Sequence, residues 1–266
     1  MTRIEDKFKE LREEGRSALI TYVTAGDPSL SVTEELLPAL EESGADILEV
    51  GVPFSDPMAD GPTIQAASER ALKNPITLDD ILGVIAKLRA TSQIPVVLFG
   101  YYNPFFVYGE ERLMKAAKEA GVDGFLVVDL PPDEGEGFEK KAIAAGLDVT
   151  YLLAPTSTKR RIELVTDRGS GFVYYVSVTG VTGARERLAD EIGENIARIR
   201  KASSLPIAVG FGISTSDQVR EIAGVAEGVV VGSAIVKVIE NNLESPSLVQ
   251  EVKKVVRELR KGLDPV

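Results

Sequence analysis

Eight times along this chain a short run of β-branched and aliphatic residues gives way to a turn signal and then to a helical pattern, and the order holds from end to end. The runs are Ala18–Val23, Asp46–Val50, Pro95–Phe99, Gly124–Val128, Asp148–Leu153, Phe172–Ser177, Pro206–Val209 and Gly228–Val231. Between them lie amphipathic stretches such as Leu30–Glu42, Leu78–Arg89, Glu110–Ala120, Glu134–Ala145, Lys159–Asp167, Leu188–Lys201 and Asp217–Ile222. Runs with no polar alternation suit strands buried on both faces, the condition of a parallel sheet covered by helices. About eight such units in 266 residues match the (β/α)8 TIM barrel. The runner-up, a doubly wound open sheet, usually carries a GxGxxG turn after its first strand; here that turn reads Thr24-Ala25-Gly26-Asp27-Pro28. With no composition break or long linker, residues 1–266 read as a single TIM-barrel domain. Extra helices are expected at Ile4–Glu13, before the first strand, and at Leu248–Arg260, after the last, where Leu248, Val252, Val255, Val256 and Leu259 fall at helical spacing.

Composition removes most catalytic chemistries. The chain has no cysteine, so thiolate nucleophiles, disulfides and cysteine-held metal clusters are excluded. It also has no histidine, which removes the imidazole base, the Ser–His–Asp triad and His-based metal sites. A net charge of −11 argues against nucleic acid or an anionic membrane as partner. The N-terminal MTRIEDKFKELREEG reads as a charged amphipathic helix without the apolar centre of a signal peptide, and no apolar run reaches spanning length. A cytoplasmic protein is expected. Any catalysis must use carboxylates, tyrosine, lysine, arginine, backbone amides or a borrowed cofactor.

In such barrels the reacting groups sit at the C-terminal ends of the strands and in the loops behind them. That criterion selects Glu49, Asp60, Tyr101, Tyr102, Asn103, Asp129 and Tyr175. In the segment ADILEVGVPFSDPMADGP, Glu49 stands in an otherwise apolar strand, where a carboxylate is costly. Alternation puts Ile47 and Glu49 on one face and Leu48 and Val50 on the other, so Glu49 can point into the barrel mouth. The strand runs contain no lysine or arginine to pair with it. Partial burial would raise its pKa and let it deliver and recover a proton near neutrality. Asp60, before Gly-Pro, also fits ordinary turn chemistry. Further along, VTGVTG at 178–183, GFGIS at 210–214 and VVVGSAIV at 229–236 place glycines at strand ends, and a helix starting near Ser233 would aim its dipole at an anion. Loops after the seventh and eighth strands plus a short helix N-terminus form the recurrent phosphate site of this fold, so a phosphorylated small molecule is expected. Schiff-base chemistry lacks its lysine, and Asp129, followed by Leu130-Pro131-Pro132, suits a loop anchor better than a metal ligand. Metal-free acid/base chemistry by carboxylates on a phosphate ester remains.

LEVGVPFSDPMADGP, GYYNPFFVYG at 100–109, DLPPDE at 129–134, APTS at 154–157, GVTGAR at 180–185 and VGFGIS at 209–214 together strongly resemble the tryptophan synthase alpha subunit family. The likeness runs from about Ile20 to Val236; the segment holding both PFSDP and ADGP is close to diagnostic, whereas GFGIS and VGSAIV recur in other phosphate-binding barrels. The resemblance implies a carbon–carbon lyase of tryptophan biosynthesis that cleaves indole-3-glycerol phosphate, by a retro-aldol reaction, to indole and glyceraldehyde 3-phosphate. It implies that Glu49 transfers protons, Asp60 accepts the indole N–H, and Tyr175 orients the glycerol portion and Glu49. Tyr22, Phe99, Tyr102 and Leu126 would line the indole pocket, and Thr182 would belong to a mobile loop that closes over the site. Gly183, Gly212, Gly232 and Ser233 would hold the phosphate, with Phe211 adding a backbone amide.

The same resemblance implies a beta-subunit partner in an α2β2 assembly. That partner holds pyridoxal phosphate and receives indole through a channel, so no cofactor and no metal are expected in this chain. Pro53, Asp56, Pro57, Asn103, Phe106, Tyr108 and Pro131, on the loops 53–60, 103–109 and 129–133, would face the partner, and the apolar run Phe105–Tyr108 suits such a surface. Two positions depart from the family pattern: Val178 stands where arginine or leucine is common, and Tyr22 where phenylalanine is. A free-standing indole-3-glycerol phosphate lyase and a non-catalytic phosphate-binding regulatory barrel are the alternatives. The combination of Glu49, Asp60 and Tyr175 disfavours the second.

Overall fold

The computed structural model describes residues 2–177, 185–210 and 212–264, the side chains of 185–191 excepted. Nine parallel strands form one sheet: β1 Ala18–Thr24, β2 Ile47–Gly51, β3 Val96–Gly100, β4 Gly124–Val127, β5 Asp148–Thr150, β6 Leu152–Leu153, β7 Val173–Val176, β8 Ile207–Gly210 and β9 Gly228–Val231. Their spatial order is β5-β4-β3-β2-β1-β9-β8-β7-β6. The fifth predicted strand is divided at Tyr151 into β5, paired with β4, and β6, paired with β7, so the nearly closed ring meets itself through one continuous stretch of chain. This is the eight-unit barrel the sequence pattern predicts, with one strand broken in two. Among the described residues no helix is long and apolar enough to cross a membrane.

Two concentric cores follow from side-chain alternation. Residues of one phase, such as Leu19, Val23, Leu48, Val50, Val96, Leu98, Phe125, Val173 and Tyr175, pack outward against the helices. Those of the other phase, Ala18, Ile20, Ile47, Val97, Leu126, Phe172, Ala208 and Val230, fill the barrel interior. The foot of the barrel is plugged by the helix Arg3–Glu13, which buries Ile4, Phe8 and Leu11 at helical spacing against that interior; Phe8 meets Phe172 with ring centroids 5.7 Å apart. Thr2 and Glu5 close the helix start with a capping box. Burying each large apolar side chain of the plug is worth about 1.5–3 kcal/mol. Because the foot is plugged, the open end of the barrel is the mouth.

Helices depart from the sequence reading in two places. The stretch 103–109, read as a loop, contains the helix Tyr102–Tyr108, anchored through the buried Phe105 on Phe125 and Phe138. A helix over Pro62–Ala71, absent from the predicted set, follows β2, with Gly61 at its N-cap and Pro62 in its first turn. The closing helix is found at Leu248–Arg260, burying Leu248, Val252, Val256 and Leu259.

Candidate active site

The inward phase of the strands, continued to their C-terminal ends, builds a cavity of about 470 Å³ at the mouth. Tyr22, Glu49, Phe99, Val128, Leu152, Tyr174, Val176, Val230 and Gly232 line it from the strands, while Ala59 to Ile64 close one side and Gly212, Ile213 and Ser233 another. Tyr22 stands opposite Glu49 in the β1–β2 register, and its ring meets Phe99 edge-on at 5.2 Å. Flat apolar walls of this kind suit an aromatic ligand.

Glu49 is 1% exposed, and neither carboxylate oxygen has a hydrogen-bond partner among the described residues. Burial alone pushes its pKa up to about 8. The group is therefore largely protonated at neutral pH yet close enough to ionisation to give up and take back a proton. Asp60 is half-buried, and burial lifts it to about 6, with the Tyr101 hydroxyl pulling the other way. At pH 7 the two carboxyls thus differ in charge, the buried one neutral and the loop one mostly ionised, a separation of acid from anion made by environment alone. The loop bearing Asp60 is fixed by Tyr101 Oη, which accepts from Ala59 N at 2.9 Å, and by Gln65 Nε2, which donates to Asp60 O at 2.9 Å.

Two tyrosines complete the interior wall because two glycines leave them room. A Cβ on Gly51 would lie 2.1 Å from Tyr22 Oη, and one on Gly210 would lie 2.1 Å from Tyr174 Oη. Tyr22 Oη also pairs with Thr24 Oγ1 at 3.2 Å. Burial raises both phenols above their ordinary range, and the nearby Glu49 and Asp60 add to the effect.

Of the residues singled out from the sequence, Glu49, Asp60, Tyr22, Phe99, Gly212, Gly232 and Ser233 all line this one cavity. Three do not. Tyr175 belongs to the outward phase and is buried between strand and helices, whereas its neighbour Tyr174 faces the cavity. Leu126 has the inward phase but sits one layer below, in the packed barrel interior, and Val128 takes its place at the cavity. Tyr102 starts a helix and turns away, its hydroxyl donating to Glu110 Oε1 at 2.7 Å and its N–H to Asp129 Oδ1 at 2.7 Å. Thr182, Gly183 and Phe211 lie outside the described residues. Sequence reasoning missed Ile64, Leu152 and Tyr174; in-out alternation signals only that one of the adjacent Tyr174 and Tyr175 faces inward.

The helix Ser233–Glu240 begins at the cavity with Gly232 as its N-cap and no side-chain cap, which leaves its dipole end directed at whatever occupies that side. Outside the cavity, Met58, Phe106 and Val107 are 87%, 61% and 76% exposed, an apolar rim beside the mouth. A groove of about 210 Å³ next to it is lined by Pro53, Pro104, Val107 and Tyr108. Asp56 and Asn103 are exposed, Pro57 and Pro131 half-buried, and Pro53 is buried.

The chain is similar to proteins of one kind. A family model described as "Tryptophan synthase alpha chain" matches residues 8–264. The protein of that name from Geobacter sulfurreducens is 54% identical over 263 residues, 99% of each chain, and that from Thermoanaerobacter sp. (strain X514) is 45% identical over 99% of this chain and 100% of its own. Among solved structures, tryptophan synthase subunit alpha from Legionella pneumophila str. Paris superposes with a TM-score of 0.93 at 37% identity over 100% of both chains. A chain of the Mycobacterium tuberculosis tryptophan synthase does so with a TM-score of 0.90 at 34% identity, covering 100% of this chain and 99% of its own.

Proposed function

The chain belongs to the tryptophan synthase alpha chain family, whose members are lyases that cleave indole-3-glycerol phosphate, and from that premise we propose how its residues carry the reaction. Indole-3-glycerol phosphate lies with its ring between Tyr22, Phe99 and Ile64 and its phosphate at Gly212, Gly232 and Ser233, where the uncapped start of the helix Ser233–Glu240 favours an anion. Gly183 and the Phe211 backbone belong to the same proposed phosphate cradle, and Thr182 to the loop that shuts it.

Protonated Glu49 gives its proton to indole C3, producing a cationic ring whose C=N⁺ bond is an electron sink. Ionised Asp60 accepts the ring N–H and stabilises the developing charge. The Glu49 carboxylate then removes the proton of the glycerol hydroxyl next to the ring. The C–C bond breaks, its electron pair restores the indole double bond, and the former carbinol carbon leaves as the aldehyde of glyceraldehyde 3-phosphate. Tyr174, in the position first read as Tyr175, faces the glycerol portion.

The single observation that supports this reading most is Glu49 itself: buried, unpaired among the described residues and lifted to about 8 in a cavity lined by aromatic rings. A structural carboxylate would be paired.

The apolar rim of Met58, Phe106 and Val107 supports docking of a beta subunit over the mouth, which we extend to an α2β2 assembly in the cytoplasm with pyridoxal phosphate held by the beta subunit. All 266 residues are read as one domain. The test is indole release from indole-3-glycerol phosphate by purified protein, alone and with a tryptophan synthase beta subunit. Weak activity alone, strong stimulation by the partner and its near-complete loss in Glu49→Gln are expected. Full activity in Glu49→Gln would sink the mechanism, and full activity without the partner would make the chain a free-standing lyase.

A further inference from the structure

Two helices start at the cavity from opposite ends of the proposed substrate. Pro62–Ala71 begins directly behind Asp60, at the indole end, and Ser233–Glu240 begins at the phosphate end. Both carry away from the mouth and finish near one guanidinium. Arg70 donates from Nε and Nη2 to the two oxygens of Asp27, each at 2.8 Å, and from Nη1 to Glu240 Oε1 at 3.3 Å. Asp27, on the loop after β1, is 0% exposed, and the Arg70 side chain is 13% exposed. Between the helices Ala67 and Val236 are fully buried and pack with Tyr22, Ile64 and Phe99, three of the cavity walls. The wall of the indole pocket and the helix that faces the phosphate are thus one packed unit, closed at its far end by Arg70.

We propose that Arg70 is a positioning residue for the reaction: its fork locks the two helices in register, so that capture of the phosphate at one end sets Asp60 and the ring walls at the other. The alternative is a purely stabilising ion pair. Burial, however, lifts the Asp27 carboxyl above its usual range despite the paired hydrogen bonds, and buried pairs of this kind are weak sources of net stability. What a bidentate arginine supplies is fixed relative placement, here of three segments at once. Lysine has the charge but not the fork.

The inference rests on the site reading above, and its test separates the two. The probes are an unreactive indole-alkyl alcohol and its phosphate ester, whose affinities for the full-length protein are measured by titration calorimetry well below the melting midpoint. In wild type the ester binds more tightly than the alcohol, by a factor that reports what the phosphate contributes once the indole end is seated. In Arg70→Met and Arg70→Lys that factor is expected to fall about tenfold, while affinity for the alcohol alone changes less than about threefold. Glu240→Ala, which removes the partly exposed arm together with the Lys237 pair on the same helix, is expected to show a smaller fall of the same kind, and it carries the test if Arg70→Met does not fold. A purely structural role would weaken both probes in proportion, or neither, and would overturn the proposal. Failure of the site reading has a different signature: the ester would bind no better than the alcohol in wild type, or Glu49→Gln would retain turnover.

Discussion

The two ends of this barrel treat the same kind of residue in opposite ways. At the foot, Asp46, Asp123, Asp148 and Glu227 stand at the starts of strands, and each is paired. Asp46 accepts from Arg16 and from Leu19 N, both at 2.8 Å; Asp123 accepts from Arg3, Arg89 and Val96 N; Glu227 accepts from Arg200 and Ile207 N; Asp148 accepts from Thr2 Oγ1 at 2.6 Å. Asp46, Asp123 and Glu227 thereby each satisfy an N–H at the start of a neighbouring strand. At the mouth, Glu49 has no hydrogen-bond partner among the described residues, and Asp60 rests on one tyrosine. Acids that hold the strand starts in register are saturated. The acid proposed to exchange a proton is left without a partner among the described residues, and the fold carries the cost.

That contrast can be broken from either end. The largest effect expected is for Glu49→Gln, which should lower indole release about a thousandfold, within the range for loss of a general acid/base, while the melting midpoint stays level or rises. A fall in both would mean that Glu49 is structural after all. At the foot, Asp123→Ala should destabilise the chain by about 3 kcal/mol in denaturant titration, because it takes the charge partner from the half-buried Arg89 and the acceptor from the Val96 amide, yet leave turnover per folded molecule within about twofold. Asp60→Asn should cost about a hundredfold in kcat with little change in stability, the usual scale for losing one electrostatic contact in the transition state.

The pH dependence of stability sharpens the same point. Glu49 titrates near 4.5 when exposed and about 8 when folded, so between those values the folded state holds the extra proton. Stability contributed by the neutral form is complete below about pH 4.5 and is lost as pH rises toward 8. The stability of Glu49→Gln relative to wild type should therefore grow across that window and level off above it; a flat difference would show that the carboxyl is not desolvated. The smallest effect belongs to Tyr22→Phe, which keeps the ring against Phe99 and removes only the bond to Thr24; kcat/KM should change by no more than about tenfold, since a partly compensated hydroxyl is worth about 0.5–1.5 kcal/mol at most.

Much of this was legible beforehand, for reasons that differ residue by residue. The strands could be read because doubly buried runs such as Val96-Val97-Leu98 have no polar alternation, and the closing helix because its apolar spacing admits one face only. Glu49 and Asp60 could be read because a carboxylate in such a strand, and another before Gly-Pro, are conspicuous by chemistry. The division of the fifth strand at Tyr151 and the helix at 102–108 could not, since both depend on what packs against them: the partner strands on either side of Tyr151, and Phe125 and Phe138 beneath Phe105.

Tyr174 and Tyr175 mark the boundary most clearly. Alternation requires that one of two adjacent tyrosines face inward and the other outward, and local sequence states that much. Which is which is set by the register of β7 against its neighbours, Tyr174 with Leu152 and Ala208, Tyr175 with Leu153 and Val209. Room for the inward ring is made by Gly210, a residue far along the chain. The amino-acid sequence by itself determined the repeating unit, the excluded chemistries and the two candidate carboxylates, because those follow from periodicity and from the cost of burying charge. Phase, depth in the barrel, the value of about 8 at Glu49 and the joining of two helices through Arg70 were decided only by tertiary structure, because each depends on atoms that only closure of the barrel brings together.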